Sequence, residues 1–498
     1  GSRGLGDVYK RQIHILLLMT VVSLSLCAQQ DYEILSLGIE RGLTNNYILS
    51  IAQDKDGFMW FATESGLNRF DGQHFKSYKK SRTALPGLSG NELRKLYADT
   101  HEPFLWIATQ KDGLNRLNLH TGEFTIFTHN PKDNNSIIKN DITDIVNDSN
   151  GNLWISTFWG GVDYYDKKQN CFSHYNTNTL KNLASDMVWT IANDKNEYLY
   201  IGHVNYGLSI ISLKTRLVKH FLHNQTDPYS LPGNDVRSIL IDGSNNIWIG
   251  TNNGLALFDF KKEKFININM PPSQKSSMPF NRVYSIQQMS DKRIWVGTED
   301  NGIYILDIHN DRVTSSNDVE IHAILQSSYP NGLTKGTVTS LFEDSYHNIW
   351  IGTYGGGINF IGHEPLFFHK WQYSPYFKKN ALTTKEVWGI CEDNKGNIWI
   401  GTDGGGINVF QNGICTRIYN TENSILQGNA ILAAHRDSQG NLWFGTYKNG
   451  ISVFNTQAMK WEIFSSRDFK SKDIRCFFED KNQKLFIGTN DNLSLIHI

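Results

Sequence analysis

The sequence predicts an all-β protein assembled from β-propeller blades. Three observations carry this reading. A Trp-Ile-Gly-Thr core recurs along almost the whole chain, its copies stand 43 to 55 residues apart, and each copy lies among short stretches that alternate apolar and polar residues. The anchoring aromatics are Trp60, Trp106, Trp154, Tyr200, Trp248, Trp295, Trp350, Trp399, Trp443 and Phe486. A period of this size marks a repeat architecture. Four antiparallel strands per repeat, arranged radially, make a propeller blade.

Each element follows from the alignment on the Trp. An Asp usually stands six residues before it, as in Asp54, Asp148, Asp242, Asp344, Asp393 and Asp437, and Met289 fills the place in the sixth copy. An apolar residue stands three before that, and Gly57, Gly151, Gly396 and Gly440 follow the Asp by three. This is an innermost strand, a tight turn begun by Asp with Gly at its positive-φ place, and a second strand carrying the core. A short polar or glycine loop leads to a third strand such as GLNRF (66–70). The fourth has an aromatic or apolar pair three apart, such as Phe75/Tyr78, Phe124/Phe127 and Trp461/Phe464. The anchors Trp60, Trp106, Trp154, Trp248, Trp295, Trp350, Trp399 and Trp443 are read as core, where blade faces pack. The Asp is read as a turn former. An EF-hand loop would need Gly at its sixth place and Glu at its twelfth. DKDG (54–57) has Gly at the fourth place and Ser65 at the twelfth, so calcium binding by that route is rejected.

With 48 basic and 49 acidic residues in 498, the net charge of −1 argues against nucleic acid or an anionic membrane as main partner. The stretch 13–28, IHILLLMTVVSLSLCA, follows Lys10 and Arg11 and ends in small residues. It reads as a secretory signal peptide cleaved near Ala28, within a leader of residues 1–28 that is expected to be partly non-native. Its apolar run is short for a membrane span, and bulky Leu26 disfavours lipid attachment at Cys27. Cys171, Cys391, Cys415 and Cys476 remain, with no metal spacing, and are expected to be free buried thiols, with pairing left open. The chain is expected to be a fragment, since it lacks an initiating Met and its tenth repeat stops shortly after the core.

Read together, Asp-x-x-Gly-x-Leu/Ile-Trp-Ile-Gly-Thr and the following Gly-Leu/Ile-Asn-x-Phe resemble the two-component regulator propeller repeat. DKDGFMWFATESGLNRFDG (54–72) and DNKGNIWIGTDGGGINVF (393–410) carry the likeness most fully, and it runs from about residue 31 to 493. His203, in the Thr place of the fourth repeat, and Met289 depart from it. The resemblance implies a seven-bladed β-propeller over 29–362 and the start of a second, truncated propeller over 363–498. It implies the sensor region of a hybrid two-component regulator on the periplasmic side of the inner membrane. A downstream helix outside this sequence would anchor it, and the parent protein would carry a histidine kinase. It implies an oligosaccharide ligand released from a polysaccharide, a homodimer in the full-length membrane protein, and control of polysaccharide-utilisation genes.

The residues themselves show no catalytic constellation. GxSxG, HExxH, the P-loop and the dinucleotide fingerprint do not occur. The GGG runs at 355–357 and 404–406 read as tight loops between strands rather than phosphate cradles. No catalytic residue, metal or cofactor is therefore expected, and this chain is not expected to be an enzyme. A secreted propeller enzyme acting on glycans and a protein-interaction scaffold are the alternatives to a ligand sensor.

Candidate ligand contacts come from one position near the start of the innermost strand. It holds Leu49, Arg94, Thr143, Trp189, Arg237, Tyr284, Thr339, Trp388, Leu432 and Arg475, varying where the residue two further on stays apolar. Variation within a ring of equivalent sites suits the lining of a channel mouth, although blade packing would also account for it. Arg and aromatic side chains suit sugars through charge-assisted hydrogen bonds and ring stacking. Arg94, Trp189, Arg237 and Tyr284 are expected to cluster at one mouth of the first ring. Phe158, Trp159, Tyr206, Tyr354 and Tyr447, on loops between second and third strands, are further candidates.

A propeller must avoid bare strand edges. Residues 31–36 are therefore expected to pair with the third strand of blade seven, near 357–361, and close the first ring. Residues 366–372 would close a second ring.

Overall fold

The computed structural model describes residues 32, 34–80, 87–194, 197–270, 282–308, 313–326, 332–363, 371, 373, 381–464, 471–490 and 493–497. The expected leader lies outside them, as does most of the segment 366–372. The chain divides into two compact units, Gly1–Glu364 and Pro365–Ile498.

In the first unit seven four-stranded antiparallel sheets follow one another. Blade 1 consists of Ile48–Gln53, Met59–Thr63, Gly66–Phe70 and Phe75–Tyr78, and blades 2 to 6 repeat this order. Blade 7 takes three strands from its own repeat, Val338–Glu343, Ile349–Thr353 and Ile358–Ile361. Its outer strand is Leu35–Leu37, with Leu35 opposite Phe360, Ser36 opposite Asn359 and Leu37 opposite Ile358. Each innermost strand lies beside the next, and that of blade 7 lies beside that of blade 1, so the seven form a closed ring. The closing strand is shorter than the expected 31–36 and ends one residue beyond it, at Leu37. Tyr32, just before it, lies edge-on to Trp295 at 5.6 Å.

The blades are glued by their anchors. Trp60 packs with Leu105 and Ile107 of blade 2, and Trp350 with Phe61 and Phe70 of blade 1. All eight anchoring Trp are buried. Truncating one to Ala would cost about 3–5 kcal/mol. Their repeat Asp is more than a turn former. Besides capping the turn, it accepts the indole N–H of Trp60, Trp106, Trp248, Trp350, Trp399 and Trp443 at 2.7–3.2 Å. In blade 3 Asp148 is taken by the Tyr164 hydroxyl instead, at 2.9 Å. Thr489 of the tenth repeat is half-buried, and in the other eight of the nine repeats that carry it the core Thr is fully buried. Its hydroxyl donates to the carbonyl of the Gly opening the third strand, at 2.6–3.2 Å, which holds the second-to-third-strand loop tight.

The second unit contains two four-stranded sheets and one three-stranded sheet. Their innermost strands, Val387–Glu392, Ile431–Arg436 and Ile474–Glu479, lie side by side in order. Trp371 stacks on Phe410 at 4.7 Å. Cys415 is buried, Cys171 and Cys391 are half-buried and Cys476 is exposed. All four are free, so the expectation of buried thiols fails for Cys476, whose strand faces solvent along much of its length.

Candidate functional site

The variable position of the innermost strand has a structural cause. In each of the ten repeats the pairing of first and second strands shifts register there, between Ile48 and Ser50, Leu93 and Lys95, Val188 and Thr190, and so on through Ile474 and Cys476. The extra residue of a β-bulge has no partner across the ladder, and its side chain is re-aimed. Leu49, Arg94, Thr143, Trp189, Arg237, Tyr284 and Thr339 are those residues in the first ring. They begin their strands, so they share a face with the loops between second and third strands.

On that face the structure brings Arg94, Trp189, Arg237 and Tyr284 into one chain of contacts. The Arg94 guanidinium lies 5.3 Å from the Trp189 ring, the Arg237 guanidinium 5.1 Å from the same ring, and Arg237 5.2 Å from the Tyr284 ring. All four are half-buried. Arg94 belongs to blade 2 and Trp189 to blade 4. The residue between them, Thr143, is small and buried and bonds Ser156 at 2.8 Å, so it leaves the space open. Phe158, from the loop of blade 3, meets Arg94 at 5.7 Å and Trp189 edge-on at 5.1 Å. Trp159 continues the series at 4.9 Å from Phe158 and is 57% exposed. Its loop is tightly held, since a Cβ on Gly160 would meet Lys139 at 2.7 Å and Ile138 at 2.8 Å. Tyr206 stands on the corresponding loop of blade 4, 48% exposed, outside this chain of contacts.

Charge at the mouth is mostly paired. Arg237 donates to Asp235 at 2.7 and 2.9 Å, Lys95 meets Asp144 at 2.9 Å, and Arg282 meets Glu299 at 2.9 Å. The Tyr284 hydroxyl donates to Glu299 at 3.1 Å. Burial pushes the Tyr284 phenol above its ordinary pKa. Burial also lowers the pKa of Arg94, against the attraction of Asp141, and raises that of Asp141. Four enclosed polar atoms here have no hydrogen-bond partner among the described residues: Arg94 Nη1, Trp189 Nε1, Asp141 Oδ1 and Asp235 Oδ1. Sequence reasoning singled out the ring position but missed the bulge, Asp141 and the role of Phe158 as the link between blades 2 and 4.

In the second unit the corresponding residues are Trp388, Leu432 and Arg475, with Trp388 61% exposed and Arg475 lying 5.8 Å from Tyr447. Among the described residues no group of three or more His, Cys, Asp or Glu is placed to hold a metal ion.

Comparison with known proteins fits this architecture. The two component regulator propeller family matches residues 42–65, 136–159, 230–253, 332–355, 381–404 and 425–448. The chain is similar to the extracellular domain of the hybrid two component system BT3049 from B. thetaiotaomicron, with 43% identity and a TM-score of 0.65, over 94% of this chain and 59% of that one. The corresponding domain of BT4673 from the same organism matches with 17% identity and a TM-score of 0.52, over 94% of this chain and 73% of that one, a likeness of fold. Histidine kinase P4 of Formosa agariphila is 29% identical over 200 residues, covering 40% of this chain and 14% of the kinase. The chain thus spans somewhat over half of one relative's length and a small part of another's. Repeats, blades and the six matched segments together show that this chain carries propeller repeats of the two component regulator type.

Proposed function

We propose that this chain is the extracytoplasmic ligand-sensing region of a hybrid two-component signalling protein, and that it binds oligosaccharides at the mouth of its first ring. The likeness to the extracellular domain of BT3049 supports the sensor reading. The observation that carries the site is the alternation of cation and aromatic ring along Arg94, Trp189, Arg237 and Tyr284. Flat apolar faces bordered by fixed hydrogen-bonding groups are what a sugar ring needs. Trp159 and Tyr206 extend the surface outward on the same face. In this reading the three sheets of the second unit begin a second propeller, and the kinase, the membrane anchor and the dimer contact belong to the parent protein. The polysaccharide's utilisation genes are the output.

A thermal-shift screen against an oligosaccharide panel tests this reading. A ligand that binds the folded chain raises its melting temperature by mass action. The rise should vanish in Trp189→Ala while the unliganded midpoint of that variant stays close to the parent's. If no glycan shifts the midpoint, or if the shift survives Trp189→Ala, the assignment of the site is wrong.

A further inference from the structure

The unpartnered atoms at the mouth bear on which sugars fit. Two are donors, Arg94 Nη1 and Trp189 Nε1, and two are acceptors, Asp141 Oδ1 and Asp235 Oδ1. They lie along one chain of contacts. Arg94 touches Trp189, Trp189 touches Arg237, and Arg237 is bonded to Asp235, while Asp141 acts on Arg94 through space. Enclosed polar groups without partners are destabilising, and a ligand that supplies the partners gains that free energy on binding. The charges at the mouth leave no single sign in excess. Arg94, Lys95, Arg237 and Arg282 stand beside Asp141, Asp144, Asp235 and Glu299 respectively. Lys139, which also acts on Asp141, is solvent-exposed.

We infer that the mouth selects an uncharged sugar unit, held through hydroxyl groups that answer the donors of Arg94 and Trp189 and the carboxylate oxygens of Asp141 and Asp235. A hydroxyl both donates and accepts, so it serves either kind of atom. A uronate carboxylate or a sulfate ester only accepts. It would satisfy Arg94 and Trp189, leave the two carboxylates unanswered and set a second negative charge against them. Each of the four atoms is enclosed, so a hydroxyl or hydroxymethyl arm reaches it once a neighbouring side chain turns aside. This inference rests on the mouth being the ligand site.

Isothermal titration separates the two claims. The chain is titrated with neutral, uronate-containing and sulfated oligosaccharides of matched length, each at low and high salt. Trp189→Ala, Asp141→Ala and Arg94→Gln are run beside it, each checked for an unchanged far-UV spectrum. Neutral oligosaccharides should bind, with an affinity that salt does not move, and Asp141→Ala and Arg94→Gln should each weaken them about tenfold. Salt-sensitive binding of acidic oligosaccharides alone, lost in Trp189→Ala, overturns the selectivity and leaves the site standing. Neutral binding lost in Trp189→Ala but untouched by Asp141→Ala and Arg94→Gln overturns the role of the hydroxyls. Neutral binding that survives Trp189→Ala, or no binding from any set, overturns the site itself.

Discussion

Trp60 donates its indole N–H to Asp54 at 2.7 Å, across six residues of a single repeat. The pair ties the anchor that packs two blades to the turn that joins two strands. Its natural absence supplies a control. In the sixth repeat Met289 replaces the Asp, and the Trp295 indole nitrogen has no hydrogen-bond partner among the described residues. Trp248→Phe removes the donor that serves Asp242 at 2.9 Å, whereas Trp295→Phe removes an unserved one. The first change should therefore destabilise the ring by about 1–2 kcal/mol more than the second. Denaturant unfolding of the two variants measures the difference, and equal losses would remove the pair from the account.

The same turn yields a stabilising substitution. Gly57 and Gly151 occupy its third place after the Asp with φ of 87° and 83°. Lys292 stands there in the sixth repeat with φ of 70°, a left-handed conformation that costs a side chain about 1 kcal/mol. Its hydrogen bond to Met289 O uses only its backbone N–H. Lys292→Gly should add about 0.5 kcal/mol, because the greater freedom of glycine in the unfolded chain offsets part of the relief. A lowered melting temperature would contradict this.

His203 should make the ring sensitive to acid. It replaces the core Thr in blade 4, is wholly buried and bonds Ser209 at 2.8 Å. Burial, with His220 nearby, lowers its pKa from 6.5 to about 4. The folded chain therefore resists a proton that the unfolded chain accepts. Above the ordinary value this contributes no loss. As the pH falls from about 6.5 to about 4 stability should drop by an amount on the order of 3 kcal/mol, then level off. His203→Thr, which restores the residue of the other repeats, should flatten that part of the stability profile. An unchanged profile would show that other groups control it.

The closing strand should be the weakest seam. Ile34 is 2% exposed and packs in one cluster with Trp295, Val338 and Ile351. Ile34→Ala should cost about 3 kcal/mol. It should also speed amide hydrogen exchange at Ile358–Ile361 relative to the third strand of blade 3, Gly161–Asp166. Uniform exchange in both strands would mean that the seam is as firm as any other.

Much of this architecture was legible from period and alternation, because a blade is built from local turns and period-two strands. The Asp-to-Trp spacing was visible in the repeats, but its second use depends on how the indole folds back over the turn, which spacing alone does not reveal. The Asn of the third strand shows the same limit. Asn68 clamps Thr44 from the preceding loop at 2.8 and 3.1 Å, a contact across 24 residues with no sequence signature beyond the two residue types. In blade 3 the place is taken by Asp163, which holds the Ile138 backbone at 2.8 Å and His174 at 2.6 Å. At the mouth the variable position stood out because its neighbours did not vary. The bulge behind that variation is a matter of register between two strands, and Arg94 reaches Trp189 only because Thr143 is small and turned away.

The seam between Leu35 and Phe360 joins residues about 325 apart, although almost every other strand pair joins neighbours in sequence. The first strand to be made is thus the last to be placed. Six blades can form from local contacts as the chain emerges, each needing only the loop it already has. The seventh waits for a segment that has been free since the start, and bringing it back carries the entropy of closing the largest loop in the unit. Until then the nascent arc keeps an unpaired edge at each end, open to other chains. A chain interrupted before Ile358 never receives its clasp, so assembly of the ring reports that all seven repeats have arrived.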